Sequence, residues 1–202
     1  MIKYILAALV AGGVAGYLNS GFGSPLASVV VSDYLFNWSL VALLFVMGMA
    51  FGLDREAVAK FKRAGSKILV VPAAVAGGSL LGGLVSGWVL GLDVFASMAV
   101  CGGYGWYTLA GPLAGQILGA EWGARGLAVN LLRELVTIAA VSLLVRVDRY
   151  GPVAAGGATT MDTTLPVIVR YCGTDVLVAA FVSGFILSIA APITIITITT
   201  LT

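Results

Sequence analysis

The chain has 202 residues, of which 60% are hydrophobic and only 10% charged, and its net charge is +2. About a quarter of the residues in a soluble domain are charged, so a mean hydropathy of +1.06 marks an integral membrane protein and leaves no stretch polar enough for a water-soluble catalytic domain. Two cysteines and no histidine exclude a disulfide framework, a metal cluster and His-dependent catalysis. No cofactor, metal or nucleic-acid partner is expected, and the chain does not read as an enzyme.

In chain order, runs near the ~20 residues that cross a hydrocarbon core lie at Ile2–Leu18, Tyr34–Leu53, Ile68–Leu90, Ala124–Val147 and Val176–Leu201. The first carries Lys3 at its start and is read as a helix rather than a cleaved leader. Two further stretches, Val94–Leu118 and Pro152–Cys172, are broken near their middles and read either as whole helices or as re-entrant hairpins. The short loop Asp54–Lys67 carries Arg55, Lys60, Lys62, Arg63 and Lys67, which places it, and the N-terminus with it, in the cytoplasm. Two re-entrant stretches would also bring Arg146 and Arg149 inside, so the charge bias favours that option. The C-terminus then ends outside. The fold class is all-α: a single polytopic domain over 1–202, with helices over 1–90, a broken segment plus helix over 94–147 and a second such unit over 152–202.

Glycines at spacings of four, Gly12/Gly16, Gly48/Gly52, Gly78/Gly82 and Gly83/Gly87, read as faces for close helix approach. In the first broken stretch, Gly102-Gly103-Tyr104-Gly105-Trp106-Tyr107-Thr108 leads to Pro112. In the second, Gly156-Gly157-Ala158-Thr159-Thr160-Met161-Asp162 leads to Pro166. Each glycine pair precedes its proline by ten residues. With one helix between them, the two segments would enter from opposite faces, the arrangement of inverted-repeat transporters. The glycines 102, 103, 105, 156 and 157 permit unwinding, and unwound backbone at membrane depth requires protein or a watery cavity around it.

The charged pair Arg133-Glu134 stands at the middle of the fourth apolar run. An ionised side chain there costs roughly 2.5–3.5 kcal/mol on insertion scales and marks a polar pathway or a partner. Asn130, Glu134 and Thr137 share a helical face, with Arg133 about 100° away. Glu134 and Asp162 are the first candidates for cation and proton handling. Asn130, Thr159, Thr160, Thr163 and Trp106 are candidates for substrate contacts, with Arg133 as electrostatic neighbour. Two bland readings compete: Arg133 and Glu134 hold the bundle, with Asp162 as a candidate partner for Arg133, and the threonine cluster is a surface turn.

Gly102–Pro112 (GGYGWYTLAGP), Asn130–Glu134 (NLLRE) and Gly156–Arg170 (GGATTMDTTLPVIVR) resemble, in order and spacing, three signature stretches of the LysO lysine-exporter family. The resemblance runs from about residue 30 to the C-terminus. It implies export of L-lysine and its analogues across the cell membrane, with proton antiport and alternating access. Longer family members resemble this chain only in their C-terminal part, which implies a C-terminal module completed by a separately encoded small membrane subunit or by homo-oligomerisation. The alternative from the residues alone is a cation/proton antiporter or an ion-channel subunit.

Overall fold

The computed structural model describes residues 69–201 continuously, together with isolated positions between 7 and 59. The expected spans Ile2–Leu18 and Tyr34–Leu53, Lys3 and the basic loop Asp54–Lys67 lie largely outside the described residues. The chain forms two compact units, Met1–Phe51 and Gly52–Thr202. In the first, the described positions are helical, and a Cβ on Gly12 or Gly16 would meet nothing within 4 Å.

The second unit holds the broken segments. Among its described residues every regular element is helical, with no strand. Helix α1 spans Val70–Leu90, α2 Val94–Cys101, α3 Tyr107–Leu118 and α4 Ala120–Val147. Helix α5 spans Gly151–Gly156 and runs into a 3-10 turn, Gly157–Met161. Helix α6 spans Leu165–Cys172, and a second 3-10 turn, Thr174–Val176, leads into α7, Leu177–Thr199. Three helical stretches, Val70–Leu90, Ala120–Val147 and Thr174–Thr199, are long and apolar enough to cross a membrane. This is a multi-pass membrane architecture.

Both interrupted stretches fall where the glycines place them. The first is split between Cys101 and Tyr107, and the second contains three helical pieces. The central span starts at Ala120, four residues before the expected Ala124, because Gly119 with φ 96° turns the chain in a single residue. Such a positive φ is open to glycine at little cost. The two prolines, alike in offset, differ in setting. Pro112 lies inside α3, whereas Pro166 occupies the first turn of α6, where the missing N–H has no intrahelical partner to lose.

Packing follows the small residues. A Cβ on Gly83 would lie 2.7 Å from the Met98 Cα, and one on Gly87 2.9 Å from the Val94 Cα, so α2 runs back along α1. Gly115 and Gly123 face each other, and Gly111 faces Leu127, so α3 runs antiparallel to the first half of α4. Gly78 and Gly82 meet nothing within 4 Å and form no such contact, whereas Gly111, Gly115 and Gly123 do without having stood out in the sequence. At the other end of α4, Val153, Ile168, Cys172, Val176 and Ala180 form a buried apolar cluster against which Val71 and Val145 pack. The start of α1 and the end of α4 thus lie at one level, and these two helices are antiparallel. Arg149 closes that end, its Nε donating to the Cys172 carbonyl (2.9 Å) and its Nη2 to Asp175 (2.8 Å).

Candidate functional site

The two breaks meet beside the middle of α4. The Ala158 N–H donates to the Tyr104 carbonyl at 2.8 Å, a bond between residues that face each other only because both helices have unwound. The approach is close: a Cβ on Gly157, at φ 64°, would sit 2.2 Å from the Tyr104 oxygen, and one on Gly105, at φ 102°, 3.0 Å from the Gly156 oxygen. Tyr104 has a positive φ of 52°, a conformation rare for a bulky residue. Its ring is buried and its hydroxyl lies 3.0 Å from Thr194 Oγ1 on α7.

Unwinding a helix in an apolar medium releases N–H and C=O groups that lipid leaves unsatisfied. Two side chains on α4 take up that role. Asn130, 1% exposed, accepts from the Gly105 N–H (2.7 Å) and donates to the Val100 and Gly126 carbonyls (3.0 and 2.8 Å). It thereby splints the first break. Arg133 does the same for the second. Its Nε donates to the Ala155 carbonyl (2.7 Å) and its Nη2 to the Ala154 carbonyl (3.0 Å), in the last turn of α5 where carbonyls lack intrahelical donors. Nη1 donates to Ser79 Oγ on α1 (2.8 Å). The pairing of Arg133 with Asp162 does not form: no carboxylate of the described residues is within ion-pair distance of this guanidinium.

Asn130, Glu134 and Thr137 share one buried face, as their spacing requires. Thr137 Oγ1 donates to the Arg133 carbonyl at 2.8 Å, a local bond inside the helix. Glu134 differs, for its Oε2 is buried and has no hydrogen-bond partner. Ser97 Oγ and Ser183 Oγ share that property among the described residues, but only Glu134 brings a carboxyl group. A buried acceptor without a donor is costly, and ionisable groups at this depth are functional candidates by default.

The threonine cluster divides. Thr160 Oγ1 donates to the Gly157 and Ala180 carbonyls (2.8 and 2.7 Å), fastening the 3-10 turn to α7. Thr159 Oγ1 donates to the Gly156 carbonyl (3.0 Å) and lies 3.3 Å from Thr164 Oγ1. These three hydroxyls are buried. Asp162 and Thr163 are exposed, with the Asp162 carboxylate accepting from the Thr163 N–H at 2.6 Å. Tyr107, half-buried at the start of α3, lies within electrostatic range of both Glu134 and Asp162 and so marks the region between them. Trp106, at the N-terminal boundary of α3, is likewise half-buried.

Ser79 and Thr194, the partners of Arg133 and Tyr104, escaped the sequence reading. Each shares an apolar helix with other hydroxyl residues, Ser86 on α1 and Ser183, Ser188, Thr197 and Thr199 on α7, and their partners lie 54 and 90 positions away. No local pattern signals such a pairing. Beside Arg133 lies a recess of about 530 Å³ between α1 and α5.

Residues 6–199 match the family model described as "Lysine exporter LysO". Over 162 residues the chain is 35% identical to the lysine exporter LysO of Escherichia coli K12, covering 79% of this chain and 53% of that protein. Over 157 residues it is 26% identical to a Haemophilus influenzae protein whose name proposes lysine export, covering 76% and 78% of the two chains. The chain thus spans about half the length of the E. coli relative. No solved structure matches.

Proposed function

The chain belongs to the LysO lysine-exporter family, and from that premise we propose that it exports L-lysine and its analogues by proton antiport with alternating access. The observation that carries this reading is the buried, unpartnered Oε2 of Glu134, at mid-helix beside the junction of two unwound segments. A cationic amino acid needs a desolvated carboxylate for an ammonium group. An antiporter needs a carboxyl group that exchanges that cation for a proton.

Two re-entrant hairpins entering from opposite faces form the frame of this mechanism. Helix α2 runs along α1 toward mid-depth and α3 returns along α4 to the end it came from. Helix α5 enters from the other end of α4, and α6 returns to Arg149. Their tips touch through Ala158 and Tyr104, which supports a single barrier at the midplane that opens to either side. Glu134 is the inner carboxylate and the exposed Asp162 the outer one, with Tyr107 and Trp106 beside them and the Thr159–Thr163 turn as a source of further contacts. The N-terminus lies in the cytoplasm and the C-terminus outside. A second copy or a small membrane subunit, docked on the open face of α1 around Gly82, completes the pathway.

Efflux of lysine from proteoliposomes under a pH gradient tests the assignment. Glu134→Gln and Asp162→Asn each abolish it while helicity and melting behaviour are retained. Wild-type efflux in both variants would sink the carboxylate assignment.

A further inference from the structure

The recess beside Arg133 has a property that capping of the second break does not explain. Its walls are apolar, formed by Ala74, Val75 and Gly78 of α1 and by Ala154 of α5, and its polar groups come from Ser79 and Arg133. A guanidinium has five N–H donors. The Ala155 and Ala154 carbonyls and Ser79 Oγ take one each from Nε, Nη2 and Nη1. Among the described residues one N–H on each terminal nitrogen remains, the number that a bidentate carboxylate takes.

Among the described residues the charge itself is also uncompensated. Three neutral oxygens satisfy hydrogen bonds but supply no counter-charge, and a cation without one in a low-dielectric site is strongly unfavourable. Arg133 is 13 residues into the 28-residue α4, about 20 Å from either helix end at 1.5 Å per residue. A helix of that length centred on a hydrocarbon core about 30 Å thick puts Arg133 near the midplane, roughly 15 Å from the headgroups on either side and beyond their reach. Among the described residues none supplies the anion, which leaves the place to a solute. At about 530 Å³ the recess has room for an amino acid backbone as well as its carboxylate.

We propose that this recess is the subsite for the α-carboxylate of the exported amino acid, gripped by the two free N–H groups of Arg133, with the apolar walls taking the start of its side chain. This rests on the reading of the chain as an amino acid exporter and extends it, since the carboxylate end is then held apart from the ammonium-handling carboxylates. Arg133 becomes both the cap of the second break and the group that tells an amino acid from a simple diamine.

The test uses the full chain in phosphatidylcholine proteoliposomes, comparing efflux of L-lysine with that of 1,5-diaminopentane, the same skeleton without the carboxylate. Wild type favours lysine tenfold or more. Arg133→Gln brings the two rates together, and Arg133→Lys restores part of the preference. Gly78→Leu fills the recess from a position where a Cβ meets nothing within 4 Å, so it lowers lysine efflux without disturbing the fold even if Arg133→Gln fails to fold. Unaltered preference in folded Gly78→Leu and Arg133→Gln overturns the subsite. Wild type that moves neither compound overturns lysine export instead. In that event, thermal stabilisation by hexanoate decides the subsite: stabilisation lost in Gly78→Leu upholds it, and absence of stabilisation in wild type overturns it.

Discussion

The two breaks solve one physical problem in different ways. At the first, residues 102–105 are buried and a neutral amide, Asn130, satisfies backbone on three sides. At the second, a cation, Arg133, caps the last turn of α5, the segment's own threonines supply further bonds, and the turn ends in exposed Asp162 and Thr163. Asn130 and Arg133 are three positions apart on one helix, so a single turn of α4 splints both interruptions. The difference bears on the proposed transport cycle. There the break held by a neutral side chain and closed from its surroundings would serve as a fixed wall, and the break held by a charge and ending in an exposed carboxylate would supply the groups that exchange ligands.

The sharpest way to break this comparison is at the junction itself. Gly157→Ala places a methyl 2.2 Å from the Tyr104 carbonyl at a positive φ. The expected cost is about 3 kcal/mol or more, seen as loss of folded protein in detergent. Next comes Asn130→Leu, which leaves the Gly105 N–H and the Val100 carbonyl buried without this partner and lowers stability by roughly 2–4 kcal/mol in a denaturant titration. Transport by any surviving folded protein falls because the wall has lost its shape. Smaller still is Thr160→Val, which keeps shape but removes the donor to the Gly157 and Ala180 carbonyls. It costs about 1–2 kcal/mol and leaves the apparent affinity for lysine unchanged in efflux assays, because that hydroxyl is committed to backbone. Thr163→Val, at an exposed position, changes stability by no more than about 0.5 kcal/mol. A shift in lysine affinity in Thr163→Val but not in Thr160→Val would sharpen the division of the threonine cluster into splint and contact.

Much of this was legible in the residues. Two glycine-rich interruptions told where the helices unwind, because few other residues adopt φ above zero or let two backbones approach within a methyl's width. The i, i+4 and i+7 spacing of Asn130, Glu134 and Thr137 told that they share a face, and the structure buries all three. The pairing of Arg133 was not legible. A carboxylate is the obvious partner for an arginine, and Asp162 was the nearest candidate in kind. The structure instead gives Arg133 carbonyls freed by the break, a demand that exists only once α5 has ended. The threonines looked uniform in sequence and divide into Thr159, Thr160 and Thr164, buried and hydrogen-bonded within the bundle, and Thr163, exposed.

Composition and hydropathy by themselves determined that this is a multi-pass helical membrane protein, because only long apolar segments with internally satisfied backbone survive in lipid. The motifs GGYGWYTLAGP and GGATTMDTTLPVIVR determined the family and the positions of the two breaks. Tertiary structure alone decided that the breaks touch, that Asn130 and Arg133 divide them, and that Glu134 Oε2 is left without a partner. Those outcomes depend on which groups remain unsatisfied after the helices pack, and that remainder is a property of the assembled bundle rather than of any local stretch of chain.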